Sequence, residues 1–285
     1  MNVTVAVLAA GSGRRFGAPK LLMPAGEGEV LLSRAVSLGL SVGERVLCVL
    51  PSGADLHVAA LEGLPRDRLV LLSNPDAAQG MGTSVAMAAS ACLSRGAAGE
   101  ALLILPADLP TLDRRFLLRL IEAFAAGDGC DAAAALDPEG RLLAPAILRP
   151  GLLPEIAQLR GDAGARDILR RPGSRVVPVA IQDMSDIDDF DGYRYLAHRL
   201  GWDREPSPKI AWRADAEALP SPNGHWRVGA TLAVSVTGHG PGISGMRMVA
   251  MPQGLRRALF AGDGTRDRLG LLRAAALLSL RDENC

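Results

Sequence analysis

The stretch Val5-Ala6-Val7-Leu8-Ala9-Ala10-Gly11-Ser12-Gly13-Arg14-Arg15-Phe16-Gly17-Ala18-Pro19-Lys20 decides the fold. It opens as an apolar run of strand length and empties into a loop carrying Gly11, Gly13 and Gly17, two arginines and then a lysine. Glycine lets a backbone approach a ligand closely and turn N–H groups toward it. The basic side chains supply charge that offsets a polyphosphate. A buried strand ending in a glycine-rich basic loop is where an open α/β sheet holds a nucleotide.

Two familiar phosphate loops fail on spacing. A Walker loop needs G-x-x-x-x-G-K-[ST], but Ala18-Pro19 separates Gly17 from Lys20, and Leu21 follows the lysine. The dinucleotide fingerprint G-x-G-x-x-G has its third glycine one place late, at Gly17. The structural alternative is a glycine-rich surface turn.

Bulk properties narrow the classes. The 285 residues suffice for one large α/β domain and a smaller addition. With 31 basic and 31 acidic residues the chain lacks the basic excess of a general nucleic-acid or membrane-surface binder. Cys48, Cys92, Cys130 and Cys285 are too scattered for a metal motif and read as free thiols in a reducing cytosol. No basic leader opens the chain, and no apolar run reaches membrane-spanning length. The expectation is a cytoplasmic protein with neither nucleic acid nor membrane as partner.

Apolar runs alternate with helix-like segments to about residue 200, which predicts a largely parallel sheet covered on both faces. Strands are expected at 4–9, 45–50, 68–72, 101–105 and 131–135, with 142–148 and 175–181 as an antiparallel pair at one edge. Helices are expected near 31–40, 55–62, 83–94, 113–126 and 162–170. Thr83 and Ser84 suit the start of one helix, and Asp113 that of another. Residues 201–222 hold four prolines and little periodicity, and read as a linker. Beyond it, 226–236 and 246–251 suggest strands around a glycine-rich turn, and 269–280 a packed helix. His239 and Gly262-Asp263-Gly264 read as turn residues.

Three further segments carry chemistry. In Leu102-Leu103-Ile104-Leu105-Pro106-Ala107-Asp108-Leu109-Pro110 a buried strand delivers one carboxylate at its C-terminal end. An aspartate there suits a divalent cation bridging phosphate oxygens, with a helix N-cap as the alternative. In Asn74-Pro75-Asp76-Ala77-Ala78-Gln79-Gly80-Met81-Gly82-Thr83-Ser84 the Asn74 amide suits a base or ribose edge, and the turn from Gly80 to Ser84 suits an anion. Asp186-Ile187-Asp188-Asp189-Phe190-Asp191 packs four carboxylates into six residues. Either it supplies a second metal ligand, or it is a solvated loop opening the last helix.

These segments, with G-D-A-G-A-R at Gly161–Arg166, occur in order over about residues 3–196, and together they resemble the MobA-like NTP transferase family. Among its branches the chain is most similar to the molybdenum cofactor cytidylyltransferases. The resemblance implies a Rossmann-like open sheet, mostly parallel, with helices on both faces, over residues 1–200. A linker at 201–225 and a C-terminal extension at 226–285 lie outside it. The implied reaction is Mg²⁺-dependent transfer of CMP from CTP to molybdopterin-bound molybdenum, with release of pyrophosphate. By resemblance, Leu8, Ala9, Ala10, Gly11, Ser12 and Gly13 hold base and phosphates, while Arg15 and Lys20 contact the triphosphate. Asp108 binds the metal, and Asp188 or Asp186 is the second carboxylate. Asn74, Gly80 and Ser84 line the nucleotide pocket. Pro145, Asp162 and Arg166 lie on the pterin side.

Base choice rests on L-A-A-G, which the cytidylyl members carry where guanylyl members carry L-A-G-G. The Ala10 side chain is expected to narrow the space near the base. The family's G-H-P is replaced by Leu143-Ala144-Pro145, and T-P-E-D after D-I-D by Asp189-Phe190-Asp191-Gly192. Guanylyl transfer to the same cofactor and nucleotidyl transfer to another small phosphate stay open. A non-catalytic carrier, handing the cofactor to a molybdenum hydroxylase, is the alternative from a different class.

Overall fold

The computed structural model describes the chain outside residues 12–15, 17–19, 24, 27–28, 55–56, 59, 62, 95–98, 162–167, 172, 203–208, 214–230, 238–243 and 251–285. For residues 190, 209–213, 231–237 and 244–250 it describes the backbone. The chain divides into two compact units, Met1–Arg14 with Leu31–Asp188, and Arg15–Val30 with Asp189–Cys285.

The first unit is built on seven strands: β1 (Val3–Leu8), β2 (Arg45–Pro51), β3 (Leu69–Asn74), β4 (Ala101–Pro106), β5 (Ala132–Leu136), β6 (Leu142–Leu148) and β7 (Val176–Ala180). Their order is β3-β2-β1-β4-β6-β5-β7. β1 pairs in parallel with β2 and β4, and β2 with β3. Residues 3–7 of β1 and 101–105 of β4 are buried throughout. Such unbroken apolar runs belong to strands covered on both faces.

Helices α1 (Leu31–Leu40), α2 (Met81–Ser94), α3 (Arg114–Ala126) and the short α4 (Leu153–Ile156) supply that cover. Strand alternation separates the two faces. Ala6, Leu47 and Ile104 pack with Val85 and Ala89 of α2 and Ile156 of α4. On the other face α1 rides close to the sheet. A Cβ added at Gly39 would lie 3.2 Å from Val5 and 3.3 Å from Val46, so glycine sets that approach. Asp113 caps α3 as expected, accepting from the Phe116 N–H at 2.8 Å.

Two expectations need correction here. Residues 142–148 and 175–181 do not pair with each other. β6 lies inside the sheet, antiparallel to both β4 and β5, while β7 forms the edge, parallel to β5. The reason is local: Asp137-Pro138-Glu139-Gly140 is a tight turn, with Gly140 at φ +77°, so β5 and β6 must form a hairpin. Thr83 and Ser84 do not start α2, which begins at Met81. They lie in its first turn, buried.

In the second unit, α5 (Phe190–Arg199) is capped by the Asp189 carboxylate, which accepts from the Gly192 N–H at 2.8 Å. The Phe16 ring meets Tyr193 of that helix edge-on, at 6.2 Å between centroids and 82° between planes. A three-stranded antiparallel sheet, in the order β10-β9-β8, comprises β8 (Lys209–Arg213), β9 (Thr231–Thr237) and β10 (Ser244–Ala250). β8 falls within the stretch read as a linker. The helix expected at 269–280, the turn residues His239 and 262–264, and Cys285 lie outside the described residues. Cys48, Cys92 and Cys130 are buried free thiols. Among the described residues no helix is long and apolar enough to cross a membrane.

Candidate active site

β1 sits between β2 and β4, the point where the chain winds outward in both directions, and in such a sheet ligands bind at the carboxyl ends of those strands. The chain leaving β1 is strapped on each side. The Ala9 N–H donates to the Val49 carbonyl at 2.9 Å, and the Leu8 carbonyl accepts from the Ala107 N–H at 3.2 Å. Leu8–Ala10 is therefore held against the residue that precedes Asp108. Gly11 follows, exposed, and a Cβ added there would meet nothing within 4 Å. Ala10 differs from expectation: it is 6 % exposed and packs with the core cluster around α2, so its methyl group fills protein space. Ser12, Gly13 and Arg15 lie outside the described residues. Lys20, in the second unit, opens a 3-10 turn over Lys20–Leu22.

Asp108 is half-buried in the turn after β4, and the cap of α3 is Asp113, which removes the helix-cap reading of Asp108. The acidic run comes back to it. The Ile187 N–H donates to the Asp108 carbonyl at 3.2 Å, which brings the Asp186-Ile187-Asp188 backbone beside the β4 turn. The run thus divides: Asp189 caps α5, while Asp186 and Asp188 line the same cavity as Asp108. Among the described residues no three His, Cys, Asp or Glu side chains converge as a ready-made metal cage.

That cavity, of about 1040 Å³, opens where β4 and β6 part. Their ladder runs from Leu102↔Leu148 to Ile104↔Ala146 and stops. The β5–β6 register then shifts, from Ala134↔Ala146 to Ala135↔Leu143, leaving Ala144 and Pro145 as extra residues on β6. Proline has no N–H to give a ladder, so a bulge is where an inner strand tolerates one. Ile104 and Pro106 line one side of the opening and Leu143 and Ala144 the other. Pro145, expected on the acceptor side, shapes this bulge.

Sequence reading missed the hairpin wall. Asp137 is buried and accepts from the Arg141 backbone N–H at 2.7 Å and from Arg141 Nε at 2.6 Å. Burial raises its pKa, but the Arg141 N–H and guanidinium outweigh that and hold the carboxyl below the usual carboxylate value. Glu139 accepts from Arg141 Nη2 at 3.1 Å. Asp137, Glu139, Arg141 and, from another segment, Arg170 all line the cavity. The signal was present as D-P-E-G-R, a turn that sets acids beside an arginine.

The Asn74 loop works differently from expectation. Asn74 is 2 % exposed, and its Nδ2 donates to Thr83 Oγ1 at 3.0 Å and to Ser84 Oγ at 2.9 Å. Its Oδ1 accepts from the Asp76 N–H at 3.0 Å. The amide is committed to tying β3 to α2 and does not read a base. Gly80, at φ +128°, makes the turn that leads into α2. The Gly82 N–H donates to the Gly161 carbonyl at 2.9 Å, so the G-D-A-G-A-R loop leaves from the start of α2. Asp162 and Arg166 themselves lie outside the described residues.

The MobA-like NTP transferase domain matches residues 5–176. Among curated proteins none matches the chain. Among solved structures, the Mycobacterium sp. strain JC1 homolog of Mycobacterium tuberculosis Rv0371c is 25 % identical with a TM-score of 0.56, covering 70 % of this chain and 97 % of its own. Rv0371c from M. tuberculosis H37Rv in complex with manganese is 22 % identical with a TM-score of 0.54, covering 70 % and 99 %. CMP:2-keto-3-deoxy-manno-octonic acid synthetase, complexed with CTP, shares the fold at 12 % identity and a TM-score of 0.53, covering 71 % and 98 %. With residues 5–176 matched, the chain belongs to the MobA-like NTP transferase family, and nucleotidyl transfer is its class of activity.

Proposed function

We propose that the protein transfers CMP from CTP to the molybdopterin form of molybdenum cofactor, giving molybdopterin cytosine dinucleotide and pyrophosphate in the cytoplasm. The observation that carries this reading is the meeting of three segments at one sheet edge. The end of β1 is strapped to the turn after β4, and the Ile187 N–H is bonded to the Asp108 carbonyl. The CTP choice rests on the L-A-A-G resemblance, and the acceptor on the family likeness over residues 5–176.

The chemistry asks for positioning and charge control. A phosphate oxygen of the acceptor forms a bond to the α-phosphorus of CTP. The bond from that phosphorus to the β-phosphate bridging oxygen breaks, and pyrophosphate leaves with the electron pair. An acceptor phosphate that attacks as the dianion has no proton to lose, so no enzyme base or covalent intermediate is required. The backbone from Leu8 to Gly13 would hold base and phosphates, and Arg15 and Lys20 would meet the triphosphate and the departing pyrophosphate. Gly80 and the Asn74–Ser84 tie would shape the nucleotide wall, and Asp162 and Arg166 the pterin wall.

Asp108 with Asp188 or Asp186 would hold Mg²⁺. The donor set fits: these are hard oxygen ligands, and Mg²⁺ is commonly held by one or two carboxylates, with water and substrate phosphates completing its shell. When bound, the ion neutralises charge on the phosphate oxygens.

The test is pyrophosphate release with Mg²⁺ and molybdenum cofactor, comparing CTP, GTP, ATP and UTP. A strong CTP preference is expected. Release with GTP alone would move the protein to guanylyl transfer, and silence with all four would overturn the reading.

A further inference from the structure

We infer that Arg141 and Arg170 form the clamp for the acceptor's phosphomonoester, with Asp137 and Glu139 holding Arg141 in place. This rests on the transferase reading above and names the part of the site that selects the acceptor. Among the described side chains lining the cavity, six are carboxylates, and Arg141 and Arg170 are the cations. Apart from a Mg²⁺ ion held at Asp108, those two guanidiniums are the cationic groups on that lining that a phosphate dianion can meet.

Arg141 is prepared for that task. Its Nε and Nη2 are engaged by Asp137 and Glu139, while among the described residues Nη1 has no hydrogen-bond partner, and the side chain stays 58 % exposed. Held at two of its nitrogens, the guanidinium loses little rotamer freedom when a ligand binds, and its remaining donors suit phosphate oxygens. Arg170 is exposed, and no hydrogen bond or ion pair holds it among the described residues.

Strand order says which substrate these arginines serve. The sheet runs β1-β4-β6-β5. The glycine-rich loop follows β1, Asp108 follows β4, and the Arg141 hairpin joins β5 to β6. The hairpin and the end of β1, at Leu8–Gly11, therefore lie on opposite sides of β4 in the sheet order. An in-line phosphoryl displacement needs the attacking and leaving oxygens on opposite sides of phosphorus. A nucleotide seated at the β1 loop leaves the β5–β6 side to the attacking phosphate.

The test measures the acceptor KM and the CTP KM separately, for Arg141→Ala, Arg141→Lys, Arg170→Ala and Asp137→Asn, in pyrophosphate release with molybdenum cofactor. Folding of each variant is checked by circular dichroism. Loss of a charge-assisted hydrogen bond predicts about a 10-fold or larger rise in acceptor KM for the two alanine variants. The CTP KM should stay within about twofold of wild type, and Arg141→Lys should recover part of the loss. Folded alanine variants with an unchanged acceptor KM, or with the CTP KM raised equally, would overturn the clamp. Binding of phenyl phosphate, followed by ³¹P NMR, is read separately and decides the matter if the wild type releases no pyrophosphate. Binding by the wild type that is lost in both alanine variants upholds the clamp even if the transferase reading fails. No binding by the wild type, or equal binding by all variants, overturns it.

Discussion

The two walls of the cavity use the same carboxylate chemistry to opposite ends. On the β4 wall, Asp108, Asp186 and Asp188 line the cavity, and the Ile187 N–H donates to the Asp108 carbonyl, which brings their backbone together. On the hairpin wall, Asp137 and Glu139 spend their oxygens on Arg141. In the function proposed above, one wall would gather acids for a cation shared with a substrate, and the other would use acids to aim the Arg141 guanidinium at the acceptor.

The comparison breaks most sharply at Asp108. Asp108→Asn is expected to lower kcat by about 100-fold or more, since it removes charge control at the reacting phosphates, while thermal unfolding stays close to wild type. Steady-state pyrophosphate release at several Mg²⁺ concentrations checks this; full activity would remove Asp108 from the site. Asp186→Asn and Asp188→Asn, titrated with Mg²⁺, identify the second carboxylate as the one whose loss raises the Mg²⁺ requirement more.

Asn74→Ala separates a structural tie from base reading. It leaves the buried Thr83 and Ser84 hydroxyls and the Asp76 N–H without that partner, at a cost of about 1–3 kcal/mol. Chemical denaturation should show that loss, with the ranking of CTP over GTP unchanged. A reversed ranking would return Asn74 to the base.

The hairpin wall predicts smaller effects. Asp137→Asn keeps the shape and weakens the hold on Arg141, so the acceptor KM should rise by about threefold, less than for Arg141→Ala. Acid acts on the same bond. Asp137 titrates below its unfolded value, so its contribution to stability is complete above about pH 4 and is lost as pH falls through the folded value. The Asp137→Asn variant should therefore show a shallower fall in Tm with pH than wild type below that point. The smallest effect is on thiol labelling. Burial pushes the Cys48 thiol up to about 12 and that of Cys92 up to about 11, so both should resist iodoacetamide in the native protein, as mass spectrometry would show.

Much of the first unit was legible in the chain because its signals are local. The buried runs of β1 and β4 and the Asp113 cap declare themselves within a few residues, so the seven strands and α1, α2 and α3 fell close to their expected places, while much of the segments expected as helices at 55–62 and 162–170 lies outside the described residues. What misled was any feature whose meaning depends on a distant partner. The pairing of β6 turns on the four-residue Asp137–Gly140 turn, and Thr83 and Ser84 take both hydrogens of the Asn74 amide. The Ala10 methyl group likewise looked free until the core beneath α2 claimed it.

The sequence by itself determined an α/β chain of the MobA-like family, with a glycine-rich basic loop after the first strand and a lone aspartate after the fourth, because periodicity and loop chemistry act over short range. Tertiary structure alone decided which carboxylates meet. Strand order placed the Arg141 hairpin and the end of β1 on opposite sides of β4, and the cavity beside Asp108 opens where the β4–β6 ladder stops. Those relations join residues far apart along the chain. They are settled when backbone hydrogen bonds and core packing choose one sheet order, which no local pattern encodes.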